Sequence, residues 1–198
     1  METRLDRAVR LIRRRGIIRS GDANRLGIPR TYLSRLVHRG DLQQLGRGLY
    51  AVPTYGTTAH MSLAEVAKVV PSGVVCLLSA LAYHQLGTQL PHQVWIAIGP
   101  KARAPVRASV QLRIVRMSGG ALTAGVEIHR IEGVPVRIYG AAKTVADCFK
   151  FRNKIGLDVA VEALRDYRRK RGNMDDVWRY ARICRVSKVI QPYLEAVA

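Results

Sequence analysis

Between Val69 and Pro100 the chain carries no Asp, Glu, Lys or Arg, although its formal charge is +19. A stretch that avoids charge in so charged a chain has to be spent on a core. Its most apolar part, Val74 to Leu86, is 13 residues long and is bounded by Pro71, Gly73, Gly87 and Pro91. Crossing a bilayer takes about 20 apolar residues. The stretch therefore reads as a buried helix of a globular fold, and no membrane is expected as a partner.

Periodicity sorts the rest. Apolar, β-branched runs at Val94 to Ile98, Val110 to Val115, Val126 to Ile131 and Val134 to Tyr139 predict strands. Val110, Leu112 and Ile114, and again Val134, Val136 and Ile138, alternate as half-buried strands do. From Ala141 the period becomes helical and predicts four helices, with breaks at Arg152 to Gly156, Gly172 with Asn173, and Arg185 to Lys188. Asp175 and Asp176 fall in a first turn, where the helix dipole favours acids. The expectation is a mixed sheet of about four strands over residues 94–139, packed with a helical bundle over residues 141–197.

A length of 198 residues admits a second module. Met1 to Pro53 holds 12 Arg, no Lys and four acids. Leu5, Ala8, Val9 and Ile12 recur at helical spacing, with Arg4, Arg7, Arg10, Arg13 and Arg14 elsewhere on the wheel, and Gly16 ends that helix. Ile17 and Ile18 form a short extended piece, and Ser20 is the expected N-cap of a second helix through Leu26. Gly27 turns the chain, Pro29 opens a third helix that runs to about Arg39, and Gly40 stops it. Leu42 to Leu45 and Leu49 to Val52 then read as two strands joined at Gly46-Arg47-Gly48. Three helices and a hairpin predict a winged helix-turn-helix domain over residues 1–55. Thr54 to Thr58 reads as a linker, and Ser62-Leu-Ala-Glu65 as a capping box opening the C-terminal domain, residues 56–198. The whole chain is expected to be α+β.

A sequence pI of about 10.9 favours a polyanionic partner. On the third helix Leu33, Leu36 and Val37 share one face, while Thr31, Ser34, Arg35 and His38 lie on or near the opposite one. That outer face suits base edges, with Arg35 matched to guanine O6 and N7. Arg30, Tyr32 and Arg39 flank it and suit phosphates, as does Arg47 between its two glycines. A solvated basic helix in a protein-binding module gives the same pattern and stays open. Lys101, Arg103, Arg107, Arg113 and Arg116 form a run without an acid, which suits either a second nucleic-acid or partner surface or a solvated strand connection. Arg165 to Arg171 ends a helix, where cations suit the dipole.

No catalytic residue, cofactor or metal is expected. Ser79 and His84 stand about 140° apart on a helix wheel, and G-x-S-x-G is missing. Cys76, Cys148 and Cys184 have no C-x-x-C spacing, which argues against a disulfide framework or a zinc site and for a reducing cytoplasm. They read as apolar fillers. The opening METRLDRAVRLIRRR lacks the apolar run of a secretory signal. No P-loop, G-x-G-x-x-G or H-E-x-x-H occurs, and Glu127-Ile-His129 lacks the lysine of a metal-dependent nuclease centre.

The strings GIPRTYLSRLVHRGDLQQLGRGLYAVP, LLSALAYHQLGTQLP with VWIAI, AAKTVADCFKFRNKIGLDVAVEALRDY and RYARICRVSKVIQPYLEAV, in this order, closely resemble the AbiEi family of type IV antitoxins. The resemblance implies a bacterial regulator encoded beside a nucleotidyltransferase toxin. Its N-terminal winged helix would repress its own operon at inverted repeats of double-stranded operator DNA, and its C-terminal domain would counter the toxin. The DNA role then falls on Thr31, Ser34, Arg35, His38 and Arg47. The toxin's own G-S and D-x-D pattern is missing, so the chain resembles the antitoxin. Two other readings stay open: an antitoxin that modifies the toxin covalently, for example by phosphorylation, and a stoichiometric toxin-binding partner. For the first, the chain offers no phosphate cradle and no paired carboxylates.

Overall fold

The computed structural model describes residues 3–53, 59–105 and 110–197. The expected linker Thr54 to Thr58 and the cation Arg107 lie outside the described residues. The chain is α+β and divides into two compact units, the first comprising residues 1–71, 105–110 and 130–136 and the second the remainder.

In the first unit, α1 (Arg4–Arg15) starts at a capping box in which Thr3 Oγ1 accepts from the Asp6 N–H and Asp6 accepts from the Thr3 N–H. It ends at Gly16, whose φ of +68° no side chain adopts readily. β1 (Ile18–Arg19) leads into α2 (Ser20–Arg25), and α3 (Arg30–His38) follows Pro29. Ser20 is the first residue of α2, not its cap: the cap position belongs to Arg19, with no side-chain bond. The Ser20 N–H is satisfied from elsewhere, donating to Gly48 O at 2.8 Å. β2 (Gln43–Gly46) and β3 (Leu49–Ala51) pair antiparallel, and β1 joins β3 through Ile18 opposite Tyr50, so the expected hairpin is part of a three-stranded sheet. Ala8, Ile12, Ile18, Ala23, Ile28, Leu33, Leu36 and Leu42 form the core.

α4 (Ala59–Val69) also belongs to this unit, so the unit extends past the boundary expected at residue 55. It starts upstream of the expected capping box, and Ser62 and Glu65 lie inside it. A capping serine needs extended backbone, and here the helix is already running at Ser62. Lys68 reaches Asp22 of α2 at 3.8 Å.

The second unit is built on a mixed sheet of five strands rather than four, in the order β6-β5-β4-β8-β7. β5 (Val94–Ile98), β6 (Leu112–Arg116), β7 (Val126–Ile131) and β8 (Val134–Tyr139) fall on the expected runs. The added strand, β4 (Val74–Val75), opens the stretch expected to be wholly helical; α5 (Leu77–His84) takes up the rest. β4 lies antiparallel to β5 and parallel to β8, and β5 is parallel to β6. After α6 (Gly120–Thr123) and the β7–β8 hairpin come α7 (Ala141–Lys150), α8 (Arg152–Ile155), α9 (Leu157–Arg169), α10 (Met174–Ile183) and α11 (Ser187–Ala196). The closing bundle thus has five helices where four were expected, because the break at Arg152 to Gly156 winds into the single turn α8. α7 packs against α5, α9, α10 and α11, and every residue from Ala142 to Phe149 is buried.

Glycine is obligatory where the hairpin tip, Glu132 and Gly133, meets the end of α1 within the first unit. A Cβ at Gly16 would fall 1.4 Å from Glu132 O, and one at Gly133 would fall 2.9 Å from the Arg15 carbonyl carbon. Gly21, in α2, has open space around it and an ordinary φ. Gly16→Ala is therefore expected to lower the melting temperature clearly, whereas Gly21→Ala should leave it unchanged or raise stability by about 0.5–1 kcal/mol. Paired thermal melts of the two variants check this.

Candidate nucleic-acid interface

α3 is amphipathic in the sense that its sequence dictates. Leu33 and Leu36 are buried, and Arg30, Thr31, Ser34, Arg35 and His38 are exposed on the other side. Ser34 Oγ lies 3.4 Å from the Arg30 carbonyl, one turn back. The structure thus brings five of the expected residues together on one helix face. Two flanking residues are engaged elsewhere. Tyr32 is half-buried and packs against the core. Arg39 is held by Asp41 at 2.8 Å and reaches Asp6 at 3.7 Å, clamping the end of α3 to the start of α1. The Thr3 bonds, and then Arg39, lower the Asp6 carboxyl from its ordinary value. Arg47 is exposed at the β2–β3 turn. That turn is pinned at its base: Gly48 has φ +73°, and a Cβ there would stand 3.1 Å from Ser20 Oγ.

The arginines of α1 add to this surface, although sequence reasoning gave them no role. Arg7, Arg10, Leu11 and Arg14 line a shallow hollow of about 280 Å³. Arg4 and Arg7 line a second, of about 420 Å³, shared with Pro29 and Tyr32 at the start of α3. The signal was the spacing of Arg7, Arg10 and Arg14, which keeps three guanidinium groups on one side of a helix.

In the second unit, the residues that invited a catalytic reading are absorbed by the fold. Ser79 Oγ accepts from the Trp95 N–H at 2.9 Å and lies 3.4 Å from Gln93 O. His84 Nε2 donates to Tyr139 O at 2.8 Å, which fixes that nitrogen as protonated. All three cysteines are buried and free. Burial pushes Cys76 and Cys148 well above the ordinary thiol value, and burial and then Asp147 push Cys184 up to about 11, so none is a ready thiolate. Lys170, in the basic run that ends α9, donates to His84 O and Gln85 O at 3.1 and 2.8 Å and so closes the end of α5. Arg116 does similar work, reaching Gly99, Pro100 and Ala102 carbonyls within 3.0 Å.

α7 also holds a sealed ion pair that no sequence pattern marks. Lys143 Nζ donates to Asp147 Oδ2 at 2.5 Å, with both side chains at 0% exposure. Burial raises the Asp147 carboxyl even against the pull of Lys143.

Comparison with known proteins follows the same division. Residues 6–53 match the model of a family described as transcriptional regulator, AbiEi antitoxin. That segment is AbiEi-like. The matched span runs from α1 through β3 and contains every residue of the α3 face and Arg47. The chain as a whole is similar in fold to the crystal structure of the RV2827C protein from Mycobacterium tuberculosis, with a TM-score of 0.57 at 16% identity, covering 98% of this chain and 78% of that one. A comparison with curated protein sequences returns no match.

Two stability tests follow from the second unit. Lys143→Met leaves a buried carboxylate without its cation and is expected to cost about 3–5 kcal/mol, while Lys143→Met combined with Asp147→Leu should recover most of it in denaturant melts. Burial lowers the His84 imidazole from 6.5, outweighing the Tyr139 bond that raises it. A base with a depressed folded value contributes fully above 6.5 and loses that contribution as pH falls further. The melting temperature should therefore fall more steeply below pH 6.5 in the wild type than in His84→Gln.

Proposed function

We propose that the protein is a DNA-binding regulator of the AbiEi antitoxin type. In this reading α1, α2, α3 and the β2–β3 hairpin form a winged helix-turn-helix that binds double-stranded operator DNA at inverted repeats and represses its own operon. One observation carries the proposal: the family-matching segment coincides with an exposed basic face built of Arg30, Thr31, Ser34, Arg35 and His38 over a buried apolar one. Thr31, Ser34, Arg35 and His38 read base edges, while Arg30 and the wing's Arg47 hold phosphates. Tyr32 takes a phosphate only through its exposed edge, and Arg39 only by leaving its two carboxylates. The second unit, in the same reading, counters a nucleotidyltransferase toxin without being an enzyme. Among the described residues no helix is long and apolar enough to cross a membrane. In this reading the regulator meets its operator in the cytoplasm.

The test is a salt titration of binding to the DNA upstream of the reading frame, against an unrelated duplex, by fluorescence anisotropy. A preference of about tenfold or more at physiological salt is expected. With about six phosphates neutralised, log K should fall with log salt at a slope near −5. Arg35→Glu should weaken operator binding by about tenfold or more, whereas Arg168→Glu, exposed on α9, should leave it within about twofold. Equal binding to both duplexes, vanishing with salt, would reduce the interface to general polyanion affinity.

A further inference from the structure

β7 closes one side of the five-stranded sheet, so among the described residues one of its edges has no strand beside it. The turn to β8, Glu132 and Gly133, has φ of +47° and +73°, the pattern of a two-residue type I′ hairpin. In that hairpin the residues flanking the turn, Ile131 and Val134, form a hydrogen-bonded pair, and the pattern alternates outward from them. Ile131, His129 and Glu127 thus turn their backbone groups to β8, and Arg130, Ile128 and Val126 turn theirs to the open edge. Ile128 stands in the middle of that row with its side chain 73% exposed. Exposed backbone groups beside an exposed apolar side chain are a template for another strand.

We infer that this edge pairs antiparallel with β7 of a second copy, about a two-fold axis at Ile128, making one continuous sheet. Symmetry and charge select the register. An axis perpendicular to the sheet must carry each hydrogen-bonded pair onto another of its kind, so it passes through a residue and not between two. Centred on Ile128, the pairing sets Ile128 against its counterpart, and each Glu127 opposite the other copy's His129. Centred on His129 it sets imidazole against imidazole and Ile128 opposite Arg130; centred on Glu127 it sets carboxylate against carboxylate. The 128-centred register also extends a bond already present, since Glu127 Oε2 holds His129 Nε2 of its own strand at 2.9 Å. Two carboxylates and two imidazoles then alternate on one face. Each copy carries +19, so added salt strengthens the pairing by screening, opposite in sign to its effect on DNA binding. The pairing does not depend on the DNA-binding reading.

Single-cysteine cross-linking tests it cleanly, because the three native cysteines are buried. Opposed residues of a hydrogen-bonded pair have Cα atoms about 5.5 Å apart, inside the range a disulfide spans. Ile128→Cys in the full-length protein is expected to form a disulfide dimer under mild oxidation faster than Arg130→Cys, which the register displaces four residues from its counterpart. It should also outpace Leu90→Cys, a site 83% exposed on a loop, which reports random collision. Equal rates at the three sites, a preference for position 130, or no dimer at position 128 would each overturn the inference. Sedimentation equilibrium supplies an independent reading on the native surface. The wild type should shift toward dimer with rising concentration and salt, and Ile128→Lys should stay monomeric. A wild type that is monomeric throughout, or a dimer that survives Ile128→Lys, overturns it as well.

Discussion

An ion pair that no water reaches organises the second unit. Lys143 and Asp147 are one turn apart on α7, and the groups around them come from separate parts of the chain. The Lys143 ammonium lies 4.2 Å from the centre of the Tyr139 ring at the end of β8, and the Tyr139 hydroxyl donates to Leu122 O of α6 at 2.7 Å. The Asp147 oxygen not taken by lysine accepts from the Cys184 thiol, at the end of α10, at 3.3 Å. The backbone at Gly125 lies so close to the Lys143 stem that a Cβ there would meet it at 2.7 Å. Desolvating two charges is costly, and an apolar pair of similar volume often serves stability as well or better. The contribution of this network is to alignment: rotating or sliding α7 by one residue strands a buried charge, so its partners specify a single docking of the helix.

That network also shows where reading a sequence stops. In AAKTVADCFK the charged residues mark what looks like the solvated side of an amphipathic helix, and nothing local says that other elements cover that side as well. The strands were legible for the opposite reason. Val94 to Ile98, Val126 to Ile131 and Val134 to Tyr139 are long enough for composition and alternation to show, and each matches a strand end to end. β4 has two residues, too few for any period. Capping failed in both directions. Ser62 and Glu65 have the spacing of a capping box but sit inside a running helix, while the real box at Thr3 uses Asp6, shorter than the usual Glu. Spacing names candidate caps; only backbone conformation decides among them.

The candidate interface was legible to the extent that it is one helix face. Leu33 and Leu36 had to be inside, so Thr31, Ser34, Arg35 and His38 had to be outside. Composition did not reveal which cations were already engaged. Arg39 stands beside Arg35 in character, yet Asp41 and Asp6 hold it. Lys170 and Arg116 look like members of basic runs and instead bind backbone carbonyls that other elements leave open. Each of the three has at least one partner distant in sequence, and a one-dimensional charge count treats all three alike.

The placement of the few acids separates the cations tied into the fold from the rest. Asp6 caps α1 and holds Arg39, Asp22 meets Arg25 and Lys68, Asp41 holds Arg39, Asp147 holds Lys143, and Asp166 accepts from Gly87 and pairs with Arg169. These carboxylates are committed to the fold. Among the described residues, Arg4, Arg7, Arg13 and Arg14 of α1 and Arg30 and Arg35 of α3 take part in none of the ion pairs. Such crowding of like charge opposes folding by self-repulsion. The choice of cation points the same way: the first 53 residues use 12 arginines and no lysine. Solubility is served equally by lysine, but a planar fork that grips two oxygens at once is served only by arginine. A basic surface built from the side chain suited to phosphate is the one that the proposed DNA-binding reading requires.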